Sequence, residues 1–214
     1  LAEKINKIGM KFGLWFEPEM ISPDSDLYRE YPDWAIHIDK REGVQSRNQM
    51  VLDLSRDEVC EYVINAVSNI LANANIEYVK WDMNRQLTDM PRLGYNHEYT
   101  LGYYKIMSAI TEKFPNILFE GCSSGGGRFD AGVLAYMPQI WTSDNSDAIA
   151  RLKMQYSTSM CYPVYSISSH VTASPNHQCG RDTSLRTRAD VAYCGTFGYE
   201  LDVTKMSDEE FEEI

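Results

Sequence analysis

Strand-like and helix-like patterns alternate along the chain, and this alternation constrains the fold more than any other feature. Helical spacing of apolar residues appears at Val59, Val63, Val67 and Ile70, and Ser55 to Glu58 before it matches a capping box. Strands that alternate with helices in this way form a parallel sheet. Seven runs have the composition of strands: 12–16, 49–54, 76–81, 117–119, 139–142, 164–169 and 197–203.

Two architectures contain parallel strands of this kind, a (β/α)₈ TIM barrel and an open doubly wound sheet. A complete barrel needs roughly 250 residues, whereas this sequence has 214. We therefore predict an α/β fold, an incomplete (β/α)₈ barrel over residues 1–214 that supplies strands two to eight. The first strand and part of the last helix are expected to be missing. The open sheet is the alternative.

Composition and charge exclude several classes of function. The formal net charge of −11 leaves no basic patch to neutralise phosphates, so we expect no nucleic-acid partner. No apolar run is long enough to span a membrane. The five cysteines are odd in number and form no C-x-x-C pair, which disfavours a disulfide framework or a zinc site and favours a reducing cytoplasm.

Most of the predicted strands end at an acidic residue. In a barrel the active site lies at the carboxyl ends of the strands, so these residues are candidates for chemistry. Asp82 and Asp144 stand out because each lies near a tryptophan and several polar residues, in the segments KWDMNR and WTSDNSD. The strand-end residues are Glu17, Glu19, Asp53, Asp82, Glu120, Asp144, His170, and Glu200 or Asp202.

Aromatic rings beside carboxylates are suited to sugars, which stack on rings and hydrogen-bond through hydroxyls. A retaining glycosidase needs two carboxyl groups about 5–5.5 Å apart across the anomeric carbon. Asp82 and Asp144 end the fourth and sixth barrel strands in this numbering, so they could converge at one rim. An apolar wall would also raise the pKa of the carboxyl that acts as general acid.

Each of these residues also has a structural interpretation. A carboxylate after a strand can cap a helix, and for Asp53 a structural role is favoured over a catalytic one. Glu17 and Glu19 can simply shape the loop at Pro18. For His170 and Trp15, a place in the core is favoured over a functional role.

Two further patterns allow functional interpretations. Gly125 to Gly127 are not followed by the Lys and Ser or Thr of a phosphate loop, but glycine would permit a close backbone approach. Asp53, Asp82 and Glu120 end successive predicted strands, as magnesium ligands do in enolase-type barrels. A magnesium-dependent barrel is therefore a second class of function, and a non-catalytic sugar-binding module is a third.

Five segments taken together resemble the bacterial α-galactosidases of glycoside hydrolase family 36. The segments occur in the same order, and the resemblance runs from about Leu1 to Asp202. They are GLWFEPEM at 13–20, RNQ at 47–49, KWDMNR at 80–85, CSSGGGRFD at 122–130 and WTSDN at 141–145.

This resemblance implies a role for each matching position. Asp82 corresponds to the catalytic nucleophile and Asp144 to the acid/base. The remaining matches are substrate-binding positions: Trp15, Arg47, Lys80, Asn84 and Cys122, the last in the wall of the sugar pocket. Lys80 lies two residues before Asp82 and so on the same face of a strand.

The resemblance also implies a retaining hydrolysis of α-galactosides such as melibiose and raffinose, with no metal or organic cofactor. Similar proteins include raffinose and stachyose synthases, which transfer the galactosyl group, and α-N-acetylgalactosaminidases; both remain alternatives. The resemblance further implies that the parent protein is a homo-oligomer. Family members also carry an N-terminal β-sandwich, a C-terminal β domain and a paired Asp-Asp after the first strand, and we expect these three features to be missing from this chain. We therefore expect this chain alone to be unstable or inactive, because an unclosed barrel exposes sheet edges.

Overall fold

The computed structural model describes residues 1–214, which form two compact units. The first unit comprises residues 1–124 and 135–137, and the second comprises residues 125–134 and 138–214. Each is a mixed α/β structure with three parallel strands. The structure therefore has six parallel strands where the sequence analysis predicts seven.

The first unit places strand β4 (Tyr78–Trp81) between two parallel neighbours, β1 (Gly13–Phe16) and β5 (Leu118–Gly121). Trp81, the last residue of β4, pairs in register with Phe16 of β1 and Gly121 of β5. The residues that follow these three strands therefore begin at one edge of the sheet. The elements of this unit are α1 (Ala2–Lys7), β1 (Gly13–Phe16), β2 (Met20–Ile21), α2 (Asp26–Glu30), a 3₁₀ turn (Pro32–Trp34), β3 (Met50–Val51), α3 (Asp57–Ala72), β4 (Tyr78–Trp81), α4 (Tyr95–Lys113) and β5 (Leu118–Gly121).

The prediction that residues 49–54 form a strand of the parallel sheet is wrong. Only Met50–Val51 is extended, and it pairs antiparallel with Met20–Ile21 in a separate two-stranded sheet. Both residues of β3 are buried, and burial makes this run apolar just as it makes the strands of the parallel sheet apolar. An apolar run of this length does not specify which partner covers it.

The capping box predicted at Ser55 is also wrong. The main-chain N–H and the hydroxyl of Ser55 both donate to the Asp53 carboxylate, at 3.0 and 2.6 Å. Helix α3 begins two residues later, at Asp57, with Arg56 as its N-cap. Asp53 therefore organises the turn before the helix, in agreement with its structural interpretation.

The core of the first unit lies under the paired helices α3 and α4. The buried stripe of α3 is Val59, Val63, Val67 and Leu71, whereas Ile70 is 46% exposed. The i, i+4 spacing continues one residue beyond the predicted stripe, so Leu71 takes the buried place. Complete burial of a side chain of this size contributes about 1.5–3 kcal/mol, and it fixes α3 behind the strands.

The second unit places strand β7 (Ile167–Thr172) between the parallel strands β6 (Gln139–Trp141) and β8 (Thr196–Glu200). Residues Val164–Ser166, predicted to start a strand, instead form a 3₁₀ turn before β7. Ser207 begins the final helix with a capping box, in which its hydroxyl accepts from the Glu210 N–H and the Glu210 side chain accepts from the Ser207 N–H. The elements are α5 (Ala131–Leu134), β6 (Gln139–Trp141), α6 (Ala148–Ser159), β7 (Ile167–Thr172), α7 (Leu185–Ala192), β8 (Thr196–Glu200), a 3₁₀ turn (Val203–Lys205) and α8 (Asp208–Glu213).

Helix α6 buries polar residues and exposes apolar ones. Ile149, Leu152 and Tyr156 have helical spacing but are exposed, whereas Arg151 and Gln155 are buried. The Arg151 guanidinium donates to the carbonyls of Ser143 and Ser168 at 2.9 and 2.6 Å. It also lies 4.3 Å from the ring of Trp141. These bonds satisfy the buried cation and attach α6 to the ends of β6 and β7.

The state of the cysteines and the apolar character of the helices can both be read from the structure. Cys60 and Cys122 are buried, Cys161, Cys179 and Cys194 are exposed, and all five are free thiols. None of the helices combines the length with the apolar composition that a membrane crossing requires.

Candidate active site

Asp82 is a buried carboxylate that follows β4 in the first unit. It is 5% exposed and accepts three hydrogen bonds. The donors are the Trp15 indole at 3.1 Å, the Asn84 amide at 2.8 Å and the backbone N–H of Met83 at 2.8 Å. The first two reach Oδ2 and the third reaches Oδ1, so both oxygens are held. The three donors hold both carboxylate oxygens in fixed positions, as a nucleophile requires.

Glu17 and Asn84 extend this network away from Asp82. The Asn84 side-chain amide donates to Glu17 at 2.7 Å as well as to Asp82. The backbone N–H of Asn84 lies 3.3 Å from the same Glu17 oxygen, and the amide of Gln49 donates to the other oxygen at 3.4 Å. The carboxylate that follows β1 and the one that follows β4 are thus joined through a single amide group.

Arg47 occupies the tip of a tight two-residue turn. Ser46 and Gln49 exchange two backbone hydrogen bonds at 3.0 Å, and Arg47 and Asn48 have φ values of 54° and 59°. This is a type I′ geometry, in which a non-glycine residue at positive φ carries strain of about 1–3 kcal/mol. The Arg47 guanidinium lies 3.7 Å from Glu17 and its side chain is 58% exposed. The turn therefore holds a cation beside the Asp82 network.

Lys80 and Cys122 lie on the strands around Asp82. The ammonium of Lys80, in β4, forms a 3.1 Å ion pair with Glu120 of β5, whose side chain is fully buried. Cys122 is buried directly after β5, and its backbone N–H donates to the carbonyl of Trp81 at 2.8 Å. Both predicted substrate-binding positions are thereby fixed relative to the main chain that carries Asp82.

Asp144 lies in the second unit, in the segment after β6, and is itself exposed. The amide of Gln178 spans this segment: its nitrogen donates to the Asp144 carbonyl at 2.9 Å, and its oxygen accepts from the Ser146 N–H at 2.9 Å. Asn176 fixes the loop that carries Gln178, because its own amide donates to the Ser146 hydroxyl at 3.0 Å. The backbone at Asp144 is therefore held from a loop more than 30 residues away in sequence.

The glycines at 125 and 126 pack against the same segment. A Cβ at Gly126 would lie 2.5 Å from the Thr142 carbonyl oxygen, and one at Gly125 would lie 2.8 Å from the Asp144 nitrogen. Gly125 also has a φ of +83°. The close backbone approach expected of these glycines is thus made to the protein itself, where it brings the turn against the chain that presents Asp144.

The magnesium-site interpretation assumed that Asp53, Asp82 and Glu120 end successive strands of one parallel sheet, and the structure does not have this arrangement. Asp53 does not follow a strand of the parallel sheet, and it accepts hydrogen bonds from Ser55 and, at 2.8 Å, from the Tyr95 hydroxyl. Asp82 is bonded to Trp15 and Asn84, and Glu120 is paired with Lys80. No group of three His, Cys, Asp or Glu side chains is arranged to hold a metal ion.

The predicted site residues fall into three groups in the structure. Trp15 and Asn84 each donate a hydrogen bond to Asp82, and Arg47 lies beside Glu17, which also accepts from Asn84. Lys80 and Cys122 lie on β4 and after β5, in the same unit. Asp144 belongs to the second unit, with surroundings of its own.

Sequence analysis did not identify two residues that organise these groups. The sequence places Glu17 among the strand-end candidates, the same signal that singles out Asp82, but also allows it simply to shape a loop, so no site role is predicted for it. Gln178 carried no signal, because nothing in a polar loop indicates which backbone it will contact. Glu19 has a structural role: it is fully buried and accepts from Trp81 at 2.9 Å and Tyr99 at 2.6 Å.

Comparison with known proteins gives a consistent result. Residues 1–214 match the Melibiase family model. Alpha-galactosidase AgaA of Geobacillus stearothermophilus is 55% identical over 218 residues, which span 98% of this chain and 30% of that protein. Its crystal structure matches with a TM-score of 0.96 over 99% of this chain and 31% of that chain.

Two further proteins support the same grouping. Alpha-galactosidase Mel36A of Lactobacillus acidophilus is 51% identical over 100% of this chain and 30% of its own length. A variant of AgaA in complex with raffinose matches with a TM-score of 0.96 at 53% identity, over 99% of this chain and 31% of that chain. The chain thus spans about 30% of the length of the curated relatives it matches.

Proposed function

Because the chain belongs to the melibiase family, we propose that it contributes the catalytic region of a retaining α-galactosidase. The observation that carries this proposal is the Asp82 carboxylate, which is buried, bonded through both oxygens and in contact with the half-exposed Trp15. An anion held in this way is suited to attack an electrophilic carbon, and the adjacent indole offers a face on which a sugar ring can stack.

In the proposed reaction, Asp82 attacks the anomeric carbon of an α-galactoside while Asp144 donates a proton to the leaving oxygen. The glycosidic bond breaks and a β-linked galactosyl-enzyme ester forms. Asp144, now ionised, takes a proton from water, and that water breaks the ester to release α-galactose and free Asp82. Two inversions at one carbon give net retention.

Separate features of the two units support the two roles. Asp82 is enclosed and its oxygens are fixed by three donors, as a nucleophile that must be held in position requires. Asp144 is exposed and its main chain is held by Gln178, so its side chain is presented from a fixed backbone. An acid/base that exchanges protons with a leaving group and then with water benefits from such access.

The proposed substrates are oligosaccharides with a terminal α-linked galactose. A relative that is 53% identical has been crystallised, as a variant, with raffinose. Within this chain, Trp15, Arg47, Lys80, Asn84 and Cys122 are the proposed substrate-binding residues. Arg47 and Lys80 would donate to sugar hydroxyls, and Cys122 would limit the space beside the ring.

Proton NMR of the first product, with the full-length protein and p-nitrophenyl α-galactoside, tests the proposal. We expect α-galactose to appear before mutarotation produces the β-anomer. Initial release of β-galactose would show inversion and contradict the double displacement.

Azide rescue of two variants separates the roles of the aspartates. Asp82→Ala should lose activity and yield β-galactosyl azide when azide is added, because azide replaces the missing nucleophile. Asp144→Ala should yield α-galactosyl azide, because azide then attacks the intact galactosyl-enzyme. Exchanged or identical products would overturn the assignment.

A further inference from the structure

Glu17 is the one carboxylate that contacts both the Asp82 network and the Arg47 turn. Its side chain is 9% exposed, and its partners are Asn84, Gln49 and Arg47. Resting on the proposed function, we propose that Glu17 is a positioning residue that orients the Asn84 amide toward Asp82 and couples the nucleophile to the turn that carries Arg47.

The orientation of Asn84 follows from its donors. A side-chain amide nitrogen has two hydrogens, and here its two acceptors are Glu17 at 2.7 Å and Asp82 at 2.8 Å. Both acceptors are carboxylates, so the opposite orientation of the amide would set its carbonyl oxygen against two anions. Glu17 therefore fixes which end of the amide faces Asp82 and leaves the carbonyl oxygen of Asn84 to accept from a sugar hydroxyl.

The backbone of Asn84 is held by the same carboxylate. Its N–H lies 3.3 Å from the Glu17 oxygen that accepts from the side chain. Two contacts to one residue define the position of the chain just beyond Asp82. Glu17 follows β1 directly, so these contacts fix the chain after β4 relative to the end of β1.

The other contacts of Glu17 lead to the substrate-binding turn. The Gln49 amide donates to Oε2 at 3.4 Å, and the Arg47 guanidinium lies 3.7 Å from Oε1. Arg47 and Asn48 both have positive φ, a conformation that needs support from the surrounding structure. The Glu17 anion supplies that support and offsets the charge of Arg47.

The two roles predict different effects for two substitutions, measured in the full-length protein with p-nitrophenyl α-galactoside. Glu17→Ala removes the acceptor of Asn84, and kcat should fall by about 10²-fold, the loss that a misplacement of about 1 Å can cause. Glu17→Gln keeps an oxygen that can accept from Asn84 but removes the charge beside Arg47. Its kcat should stay within about tenfold of wild type, while KM rises by about tenfold.

A double-mutant cycle with Asn84→Ala distinguishes positioning from a general structural effect. If Glu17 acts on the reaction through Asn84, the double variant should have the same kcat as Asn84→Ala alone. Independent, multiplicative losses would overturn the proposal, as would an unchanged kcat in Glu17→Ala. If Glu17→Ala does not fold, Glu17→Gln decides, since an unchanged KM would contradict the coupling to Arg47.

Two controls separate this inference from the proposed function. Glu112→Gln, at an exposed position in the last turn of α4, should retain wild-type constants. Wild-type protein without turnover, or full activity in Asp82→Ala, would remove the proposed function itself. An active wild type that requires Asp82 but tolerates Glu17→Ala would contradict the role of Glu17 alone.

Discussion

The indole nitrogen of Trp15 lies 3.1 Å from Oδ2 of Asp82, although 67 residues separate them in sequence. Trp15 pairs in register with Lys80, so Asp82 lies two residues beyond its partner and on the same face of the sheet. Asp82 is 5% exposed and Trp15 is 50% exposed. One side chain thus both anchors the carboxylate and presents a surface where a ligand can bind.

Substitution of Trp15 by Phe should separate these two functions. Phe keeps an aromatic face but removes the donor to Asp82, so we expect kcat to fall by about tenfold, equivalent to a hydrogen bond to a charged group of roughly 1.5 kcal/mol. KM should change less, because stacking remains. Steady-state kinetics test this, with Trp15→Ala as the variant that should raise KM as well. A normal kcat in Trp15→Phe would contradict a role for this hydrogen bond.

Removal of Lys80 should destabilise the protein more than removal of both members of its ion pair. Glu120 is fully buried and Lys80 is 3.1 Å away, with 19% of its side chain exposed. Lys80→Met leaves a buried carboxylate without this cation, a change that costs about 3–5 kcal/mol in comparable pairs. The double variant Lys80→Met, Glu120→Gln should recover part of the loss. Urea unfolding measures both, and equal destabilisation of the two variants would contradict the argument.

The sequence predicted the elements of this fold better than their partners. Alternation of strands and helices identified the six parallel strands, because buried strands and amphipathic helices leave distinct periodicities. The run at 49–54 has the same composition but pairs with Met20–Ile21 instead. An apolar composition predicts that a segment is buried, but it does not predict the strand with which that segment pairs.

The candidate site shows the same limit. The prediction of Asp82 and Asp144 as site residues rests on their positions after strands and on their aromatic context, which are local features. Gln178 contacts Asp144 across 34 residues through an ordinary loop, and the Glu17 to Asn84 bond spans 67 residues. In α6 the cation Arg151 is buried and Tyr156 is exposed, the opposite of what hydrophobicity predicts, because the hydrogen bonds from Arg151 to the carbonyls of Ser143 and Ser168 determine which face is buried.

Stability in alkaline solution should depend on Cys60. Burial raises the pKa of this thiol from 9.0 to about 11. The unfolded thiol therefore loses its proton first, so the stabilisation is complete below pH 9 and is lost as the pH rises toward 11. Cys60→Ser keeps a donor for the Leu54 carbonyl, which accepts from Sγ at 3.2 Å, but removes the titration.

Urea midpoints between pH 8 and 11 test this dependence. The wild type should lose stability more steeply above pH 9 than Cys60→Ser. Cys161→Ser, at an exposed position, is the matched control and should follow the wild-type curve. Parallel curves for wild type and Cys60→Ser would show that burial does not affect this thiol.

Alanine at Gly126 should disturb the segment that carries Asp144. The added Cβ would lie 2.5 Å from the Thr142 carbonyl oxygen, which is main chain and cannot turn aside. We expect destabilisation of about 1–3 kcal/mol, typical of overpacking, together with slower turnover. Gly43→Ala is the control, because its Cβ would meet only the flexible end of Met50. Equal stability of the two variants in thermal unfolding would contradict this account.

Loss of Gln178 should impair acid catalysis selectively. Its amide holds the Asp144 carbonyl and the Ser146 N–H, both at 2.9 Å, and Gln178→Ala would free this backbone. A misplaced general acid matters most when the leaving group is a poor one, as in raffinose, and least when the leaving group is p-nitrophenol. We expect kcat/KM to fall by about 10²-fold on raffinose and by less than about tenfold on p-nitrophenyl α-galactoside.

Comparison of the two substrates separates this effect from a general loss of folded protein, which would lower both rates equally. His177→Ala, at the neighbouring exposed position, should retain both activities. Equal losses on the two substrates in Gln178→Ala would show that the loop supports folding or binding instead of proton transfer. A selective loss on raffinose would link Gln178, through the backbone of Asp144, to departure of the leaving group.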